Sequence, residues 1–255
     1  MTIRFAFLGA VLPAALSPMP AAAATYGETL LDAALHRDPR LHGLTIAATD
    51  ATARTIALAR GPATGRAVTV PLRNALGETI GTLTADGATS PQSAATIAAW
   101  LSRRILTAGG LAVPDPLVAG AARAAHGQAL VEAMIARYPR LITLAMHVAP
   151  DGGENAIVAS SFGRIGKPAD ADDRRVIAEG AVLRETTDGG RRLAVELPQL
   201  DARGATIGAL STSFAIDAHH PPAAAYAEAL ALHDALARAT PSRAALWRSE
   251  PQDRR

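Results

Sequence analysis

The segment GETLLDAALHRDPRLHGLTIAATD, from Gly27 to Asp50, decides the fold because it occurs a second time in altered form. Its counterpart is GQALVEAMIARYPRLITLAMHVAP, from Gly127 to Pro150, which aligns without gaps at a constant offset of 100 residues. A second pair of blocks follows in the same order, VPLRNALGETIGTL (70–83) and LPQLDARGATIGAL (197–210), at an offset of 127 residues. Two matched blocks in one order indicate an internal duplication, and the second copy has 27 more residues between its blocks.

Both copies have the same predicted order of elements. A helix with apolar residues at helical spacing comes first and ends at Pro39 or Pro139, and a strand follows at 41–49 or 141–149. The second copy continues with a strand at 155–161, a short helix at 171–179, strands at 181–186, 191–198 and 205–214, and a terminal helix at 223–238. The terminal helix of the first copy is expected at 92–106. This order predicts an α+β fold, with an antiparallel sheet of about five strands and two flanking helices in each copy.

The N-terminal segment has the pattern of a secretory signal. Arg4 precedes an apolar run at 5–16, and small residues end at Ala24, where we expect cleavage; retention as an anchor is the alternative. The predicted organisation is a signal peptide at 1–24, a shortened first domain at 25–110, a linker at 111–120, a full-length second domain at 121–239 and a polar tail at 240–255. We therefore expect a periplasmic protein. It has no Cys, so its stability must come from burial rather than from disulfides.

Composition argues against nucleic acid as a partner. The chain has 25 Lys and Arg against 23 Asp and Glu, a net charge of +2, and no basic stripe with interleaved aromatic residues.

The element order, the RIGK run at 164–167 with the aspartate at 170, and the LP…D…G..IG.L run at 197–210 resemble the PAS-like sensory fold of periplasmic Cache domains. The resemblance covers most of the second copy and the frame of the first. It implies a small ligand, bound without a cofactor between the second sheet and its inserted helices. Because no kinase, methyl-accepting or cyclase segment follows Arg238, the signal is expected to pass to a membrane receptor, a sensor kinase or a transporter. The first copy is expected to act as a structural unit or as the contact of a homodimer.

Strand parity singles out one histidine. Ile142, Leu144, Met146 and Val148 alternate with Thr143, Ala145 and His147, so the bulky set is predicted to pack under the first helix of the copy. The small face is then free to form the floor of a cavity that His147 enters. The alternative is a half-buried histidine that is bonded to a neighbouring side chain.

The excess segment of the second copy begins with SSFGRIGKPADADDRR, at 160–175. Arg164 and Lys167, which is the only lysine, are predicted to bind a carboxylate or phosphate group at the mouth of the cavity, whereas the three aspartates start the short helix. Arg192 and Glu196 share one strand face, where a cross-strand ion pair is the alternative to a site. The predicted ligand-binding residues are His147, Ser160, Arg164, Lys167, Arg192, Glu196 and Ser211.

Other chemistry has little support in the sequence. His219, His220 and His233 lack the spacing of metal ligands, and no GxSxG motif or cysteine nucleophile is present, so a hydrolase using His147 is a minor alternative. Gly81 and Gly208 occupy matching strand positions and are predicted to allow close backbone packing. The main rival to ligand binding is a protein-interaction module, which a second sheet packed solid with side chains would favour.

Overall fold

The computed structural model describes residues 23–63, 65–150 and 153–248. Most of the predicted signal peptide, at 1–22, and the last part of the predicted tail, at 249–255, therefore lie outside the described residues. No helix among the described residues is long and apolar enough to cross a membrane.

The first domain contains one antiparallel sheet of four strands, in the order β2-β1-β4-β3. Its elements are α1 (Tyr26–Arg37), β1 (Gly43–Thr49), β2 (Thr55–Arg60), β3 (Ala67–Arg73), β4 (Thr79–Asp86) and α2 (Pro91–Ser102). The sheet thus has one strand fewer than the sequence predicted, and α2 ends before the expected residue 106.

The second domain contains an antiparallel sheet of five strands, in the order β6-β5-β9-β8-β7. Its elements are α3 (Ala125–Arg137), β5 (Leu141–Val148), β6 (Ala156–Ser160), α4 (Ala171–Glu179), β7 (Leu183–Thr187), β8 (Arg192–Leu200), β9 (Thr206–Ala215) and α5 (Pro222–Ala239). Apart from β7, its strand order repeats that of the first sheet, as expected for a duplicated chain. The protein is α+β with two antiparallel sheets.

The excess segment of the second copy supplies α4 and β7. In the first domain, β2 connects to β3 through residues 61–66, so the sheet has no counterpart of either element. In the second domain, α4 packs against β8 and β9. The first sheet instead has an exposed face that carries small uncharged side chains such as Thr45, Ala47 and Thr82.

The core of the second domain confirms the predicted division of β5 except at Ile142, where a register shift between residues 141 and 143 places Leu141 in the core cluster instead. Leu144, Met146 and Val148 are fully buried in one cluster with residues of α3 and α5. On the opposite face, Ala145 packs with Ile157 and Ile165. The larger apolar set therefore determines which face of the sheet receives the two long helices.

Two matching glycines confirm the prediction of close backbone packing. Gly208 lies opposite Val148, and a Cβ there would stand 2.1 Å from the carbonyl oxygen of His147. Gly81 lies opposite Ala48, and its Cβ would stand 2.0 Å from the carbonyl oxygen of Ala47. Any larger residue would force these strands apart at both equivalent positions.

The first part of the excess segment contacts the first domain. The buried Tyr26 hydroxyl of α1 lies 3.0 Å from the carbonyl oxygen of Arg104 and 3.2 Å from that of Ser161. Gly163 has φ 78°, and a Cβ there would meet the Tyr26 ring at 2.8 Å. Arg103, after α2, donates to the carbonyl oxygens of residues 135, 138 and 141, at the end of α3 and the start of β5. Specific polar contacts thus join the two domains.

The predicted polar tail needs correction. Residues 243–247 form a turn of 3₁₀-helix in which Ala245 and Leu246 are buried. Leu246 belongs to the second core and Trp247 packs against it. The reason is the apolar character of these residues, which outweighs the charged residues around them.

Candidate functional site

The short helix α4 is positioned by a capping box. Asp170 is its N-cap: its carboxylate accepts from the Asp173 backbone N–H at 3.2 Å, and its own N–H donates to the Asp173 carboxylate at 3.0 Å. The helix ends at Gly180, whose φ of 67° is in the left-handed region. Val176, one turn after Asp173, is fully buried. Asp173 and Val176 therefore share the helix face that packs on the sheet.

A buried polar cluster lies between α4 and the sheet. Nδ1 of His147 on β5 lies 3.0 Å from Oδ2 of Asp173, although the ring nitrogen is off the line of an ideal hydrogen bond. The hydroxyl of Ser211 on β9 donates to Oδ1 of the same carboxylate at 3.2 Å. All three side chains come from different elements, and His147 and Asp173 retain only 3 % and 1 % of their accessible surface.

The Asp173 carboxyl is held in its charged form. Burial by itself raises its pKa, but His147, the backbone N–H of Asp170 and the Ser211 hydroxyl all favour the carboxylate. Their combined effect lowers the pKa of Asp173 to about 2. The cluster therefore contains a fixed negative charge at neutral pH.

Glu196 on β8 lies beside this cluster, directly opposite Ser211. Its Oε2 atom is buried and has no hydrogen-bond partner. Burial, followed by the negative charge of Asp173 and then of Asp170 and Asp172, raises the pKa of Glu196 to about 7. A carboxyl group that is poised between its two protonation states near neutral pH is uncommon outside functional sites.

Glu196 borders an open groove of about 250 Å³ between α4, β7 and β8. The groove is lined by Asp172, Leu183, Arg184, Glu185, Ala194 and Glu196. Glu185 is paired with Ala194 across the sheet and so shares the face of Glu196. The Arg184 guanidinium lies over the ring of Tyr226 on α5, 4.5 Å from its centroid, and is thus directed to the other face of the sheet. Carboxylates from three elements therefore surround the groove.

The structure brings together three of the seven predicted residues: His147, Glu196 and Ser211 all lie around Asp173. Lys167 lies nearby, with its Nζ 3.3 Å from the Asp170 carboxylate, and it slightly offsets the charges acting on Glu196. The prediction that His147 enters an open cavity is wrong, because Asp173 covers the ring. The structure is closer to the alternative of a half-buried histidine bonded to a neighbour, but His147 is fully buried and its Nδ1 meets Asp173 without ideal hydrogen-bond geometry.

The other three predicted residues lie apart from the cluster. The Arg164 guanidinium carbon lies 5.6 Å from the centroid of the Phe162 ring, close to Tyr26 of the first domain. The prediction that Arg164 lies at the mouth of the cavity is therefore wrong. Ser160 accepts a hydrogen bond from the Phe162 backbone N–H at 3.1 Å, within its own turn. Arg192 donates to the Thr187 hydroxyl at 3.0 Å rather than forming the alternative ion pair with Glu196.

Sequence reasoning missed the acidic character of the site. The sequence pattern places Asp172 and Asp173 only at the start of the helix, and it gives Glu185 no role. The signal was available for Asp173, because the capping box places it one turn before the apolar Val176, on the side that must face the sheet. Strand parity relative to Glu196 would have identified Glu185 only if the register of β7 and β8 had been known.

The chain matches no protein-family model and no curated protein. Among solved structures it is similar to the inducer-binding domain of the PobR transcription factor from Acinetobacter, a double mutant in complex with 3-hydroxybenzoic acid. The sequence identity is 15 %, the alignment covers 46 % of this chain and 95 % of that chain, and the TM-score is 0.26. A TM-score of this size is too low to assign a fold or a ligand.

Proposed function

We propose that the chain is a secreted periplasmic sensory protein whose second domain binds a small molecule through a positively charged group. The proposed site is the groove between α4, β7 and β8. One observation carries the proposal: Glu196 has a buried oxygen without a partner, amid the negative charges of Asp172, Asp173 and Glu185. The signal-like N-terminus supports secretion, and a receptor, kinase or transporter would receive the signal.

The electrostatics favour a cation over the anion that the sequence suggested. Like charges in a poorly solvated place repel one another, and a cation placed among them removes that cost. An ammonium or guanidinium group can also donate hydrogen bonds to the unpartnered Glu196 oxygen. Of the two cations that motivated an anionic ligand, Lys167 is paired with Asp170 and offsets only part of the negative charge acting on Glu196. Arg164 lies over the Phe162 ring, away from the groove.

A structural role beside Asp173 fits His147 better than a catalytic one. The imidazole retains 3 % of its accessible surface and is covered by Asp173, so a substrate cannot reach it without displacement of α4. One observation favours the rival, a protein-interaction module without a small ligand. The space between α4 and the sheet is filled by buried side chains, among them His147, Asp173 and Val176, and the grooves lie at its margins.

The proposal is tested by thermal-shift and calorimetric titration of the chain without its signal peptide. The probes are primary amines and guanidines, each matched with the carboxylic acid of the same carbon skeleton. We expect members of the cationic set to stabilise the protein. Up to about pH 7, their affinity should rise about tenfold for each unit by which the pH increases, because Glu196 loses its proton.

The control variant is Glu154→Gln, because Glu154 is exposed in the turn before β6, at the other edge of the sheet. Glu196→Gln should abolish the stabilisation and Glu154→Gln should preserve it. Stabilisation by the carboxylic acids alone, or equal binding by both variants, would contradict the assignment. Absence of binding by every probe would favour the interaction module.

A further inference from the structure

The strand β7 is an open edge of the second sheet. It pairs with β8 only, and Arg184, Glu185 and Thr186 in its centre are exposed. Within the described part of the chain, no backbone hydrogen bond reaches its outer side. An open edge presents a row of N–H and C=O groups that can pair with an added strand.

The opposite edge of the same sheet is closed. The backbone N–H of Ile157 on β6 donates to the carbonyl oxygen of Lys167 at 2.9 Å. The backbone N–H of Ala169 donates to the carbonyl oxygen of Asn155, just before β6, at 2.8 Å. In the first domain, the edge strand β3 contains Pro71, which has no N–H to offer. β7 has neither protection.

Grooves flank β7 on both faces, which distinguishes it from an edge that is merely charged against aggregation. The acidic groove of about 250 Å³ lies on the face of Leu183 and Glu185. A second groove of about 390 Å³ lies on the face of Arg184 and is lined by Arg184, Glu185, Thr186, Leu193, Pro222, Ala223 and Tyr226. Because successive side chains of a strand point to opposite faces, a strand added to β7 would direct alternate side chains to the two grooves.

The charges decide which strand fits. A side chain beside Glu185 on the acidic face borders the groove that Asp172 and Glu196 also line, so a long basic residue is favoured there. On the other face, Pro222, Ala223 and the uncovered part of Tyr226 offer apolar surface around the Arg184 guanidinium. A second copy of the chain fits poorly, because antiparallel pairing of two β7 strands would place their acidic grooves side by side.

We propose that β7 binds an extended segment of another protein by strand addition, and that this segment has a basic residue flanked by apolar residues. Main-chain hydrogen bonds to β7 supply affinity, and the two grooves select the side chains. The inference goes beyond the small-molecule proposal, because it needs the backbone edge as well as the acidic groove. A small cation and the basic side chain of the partner would compete for that groove.

The test uses fluorescent five-residue peptides, acetylated and amidated, with the order Thr, Val, Lys, Val, Thr. Binding to the chain without its signal peptide is followed by fluorescence anisotropy. One control peptide has Glu in place of the central Lys. Two further peptides are N-methylated, one at odd and one at even positions, because only one set of amides can face β7 in an antiparallel pair.

We expect the Lys peptide to bind at least about tenfold more tightly than the Glu peptide, since one charge contact changes from attraction to repulsion. Glu185→Lys should reverse that preference, whereas Glu154→Lys at the far edge should leave it unchanged. One N-methylated peptide should lose binding and the other should keep most of it.

Equal binding of both N-methylated peptides would overturn strand addition, and it would leave the cation site intact if amines still bind. Absence of binding by the Lys peptide at millimolar concentration would also overturn the inference. If amines fail and the methylation pattern still appears, the small-molecule proposal fails and strand addition stands.

Discussion

Replacing Glu196 by Gln should stabilise the protein, but only where the carboxyl group would be ionised. Glutamine keeps the size of the side chain and removes the charge. The folded pKa of Glu196 is about 7, against an ordinary value of 4.5, because the group is buried and faces the charge of Asp173. Ionisation of Glu196 therefore costs more in the folded chain than in the unfolded chain.

The sign and size of the effect follow from this difference. Below pH 4.5, Glu196 is protonated in both the folded and the unfolded chain, and its raised pKa does not affect stability. The free energy of unfolding falls as the pH rises through the folded pKa of about 7. At about 1.4 kcal/mol per pKa unit, the full loss approaches about 3 kcal/mol above pH 7. Because Glu196 retains some exposure to solvent, the measured value should fall below this limit.

The assay is urea unfolding of the wild type and Glu196→Gln at pH 4.5, 6 and 8, followed by far-UV circular dichroism. The variant should match the wild type at pH 4.5 and exceed it by about 1–3 kcal/mol at pH 8, with an unchanged dependence on urea. Its melting temperature at pH 8 should rise by roughly 5 °C. The two proteins differ at this one side chain, so the difference between them reports on Glu196.

Glu154→Gln serves as the control and should show no pH-dependent gain. A difference between Glu196→Gln and wild type that is the same at pH 4.5 and pH 8 would refute the reasoning. A destabilised variant at pH 8 would refute it more directly, because it would mean that the ionised carboxylate makes a favourable contact. Stabilisation together with loss of cation binding would identify Glu196 as a group retained for function at the expense of stability.

Three further changes test the structure. Asp173→Asn should lower the free energy of unfolding at pH 7 by about 2 kcal/mol. The wild type should lose a similar free energy of unfolding as the pH falls from about 4 to 2, because the folded pKa of Asp173 is about 2. Urea unfolding at a series of acidic pH values measures both. Gly208→Ala should lower the free energy of unfolding in urea by about 3 kcal/mol or more, because its Cβ would press on the next strand. The control Gly110→Ala should cost less than about 1 kcal/mol, because the nearest atom to its added Cβ would lie 3.4 Å away. Tyr26→Phe should lower the free energy of unfolding by about 1–2 kcal/mol and increase proteolysis between the domains, because it removes the hydroxyl between the carbonyl oxygens of Arg104 and Ser161. Unchanged proteolysis would argue against that contact.

Local signals in the sequence predicted much of the fold. The aspartates near its start are typical of a helix N-terminus, and the short helix predicted at 171–179 is present as Ala171–Glu179. The division of β5 into two faces was also predicted, because the alternation of large and small side chains lies within eight residues. The four strands of the first sheet, fewer than expected, follow from the missing segment between β2 and β3.

The candidate site was only partly predictable. Glu196, Ser211 and His147 were selected from strand patterns, but nothing local indicates that Asp173 contacts His147 and Ser211. Arg164 was assigned to the site for its charge and position after β6, whereas the fold places it beside the first domain.

The amino-acid sequence by itself determined the duplication, the order of the elements and the faces of the strands, because hydrogen-bonded turns and side-chain periodicity depend on a few neighbouring residues. Only the tertiary structure decided that the carboxylates of α4, β7 and β8 surround one groove and that β7 remains an open edge. These features depend on how α4 packs across the sheet. That packing depends on the burial of apolar side chains over the whole domain, and it fixes the positions of the charged side chains.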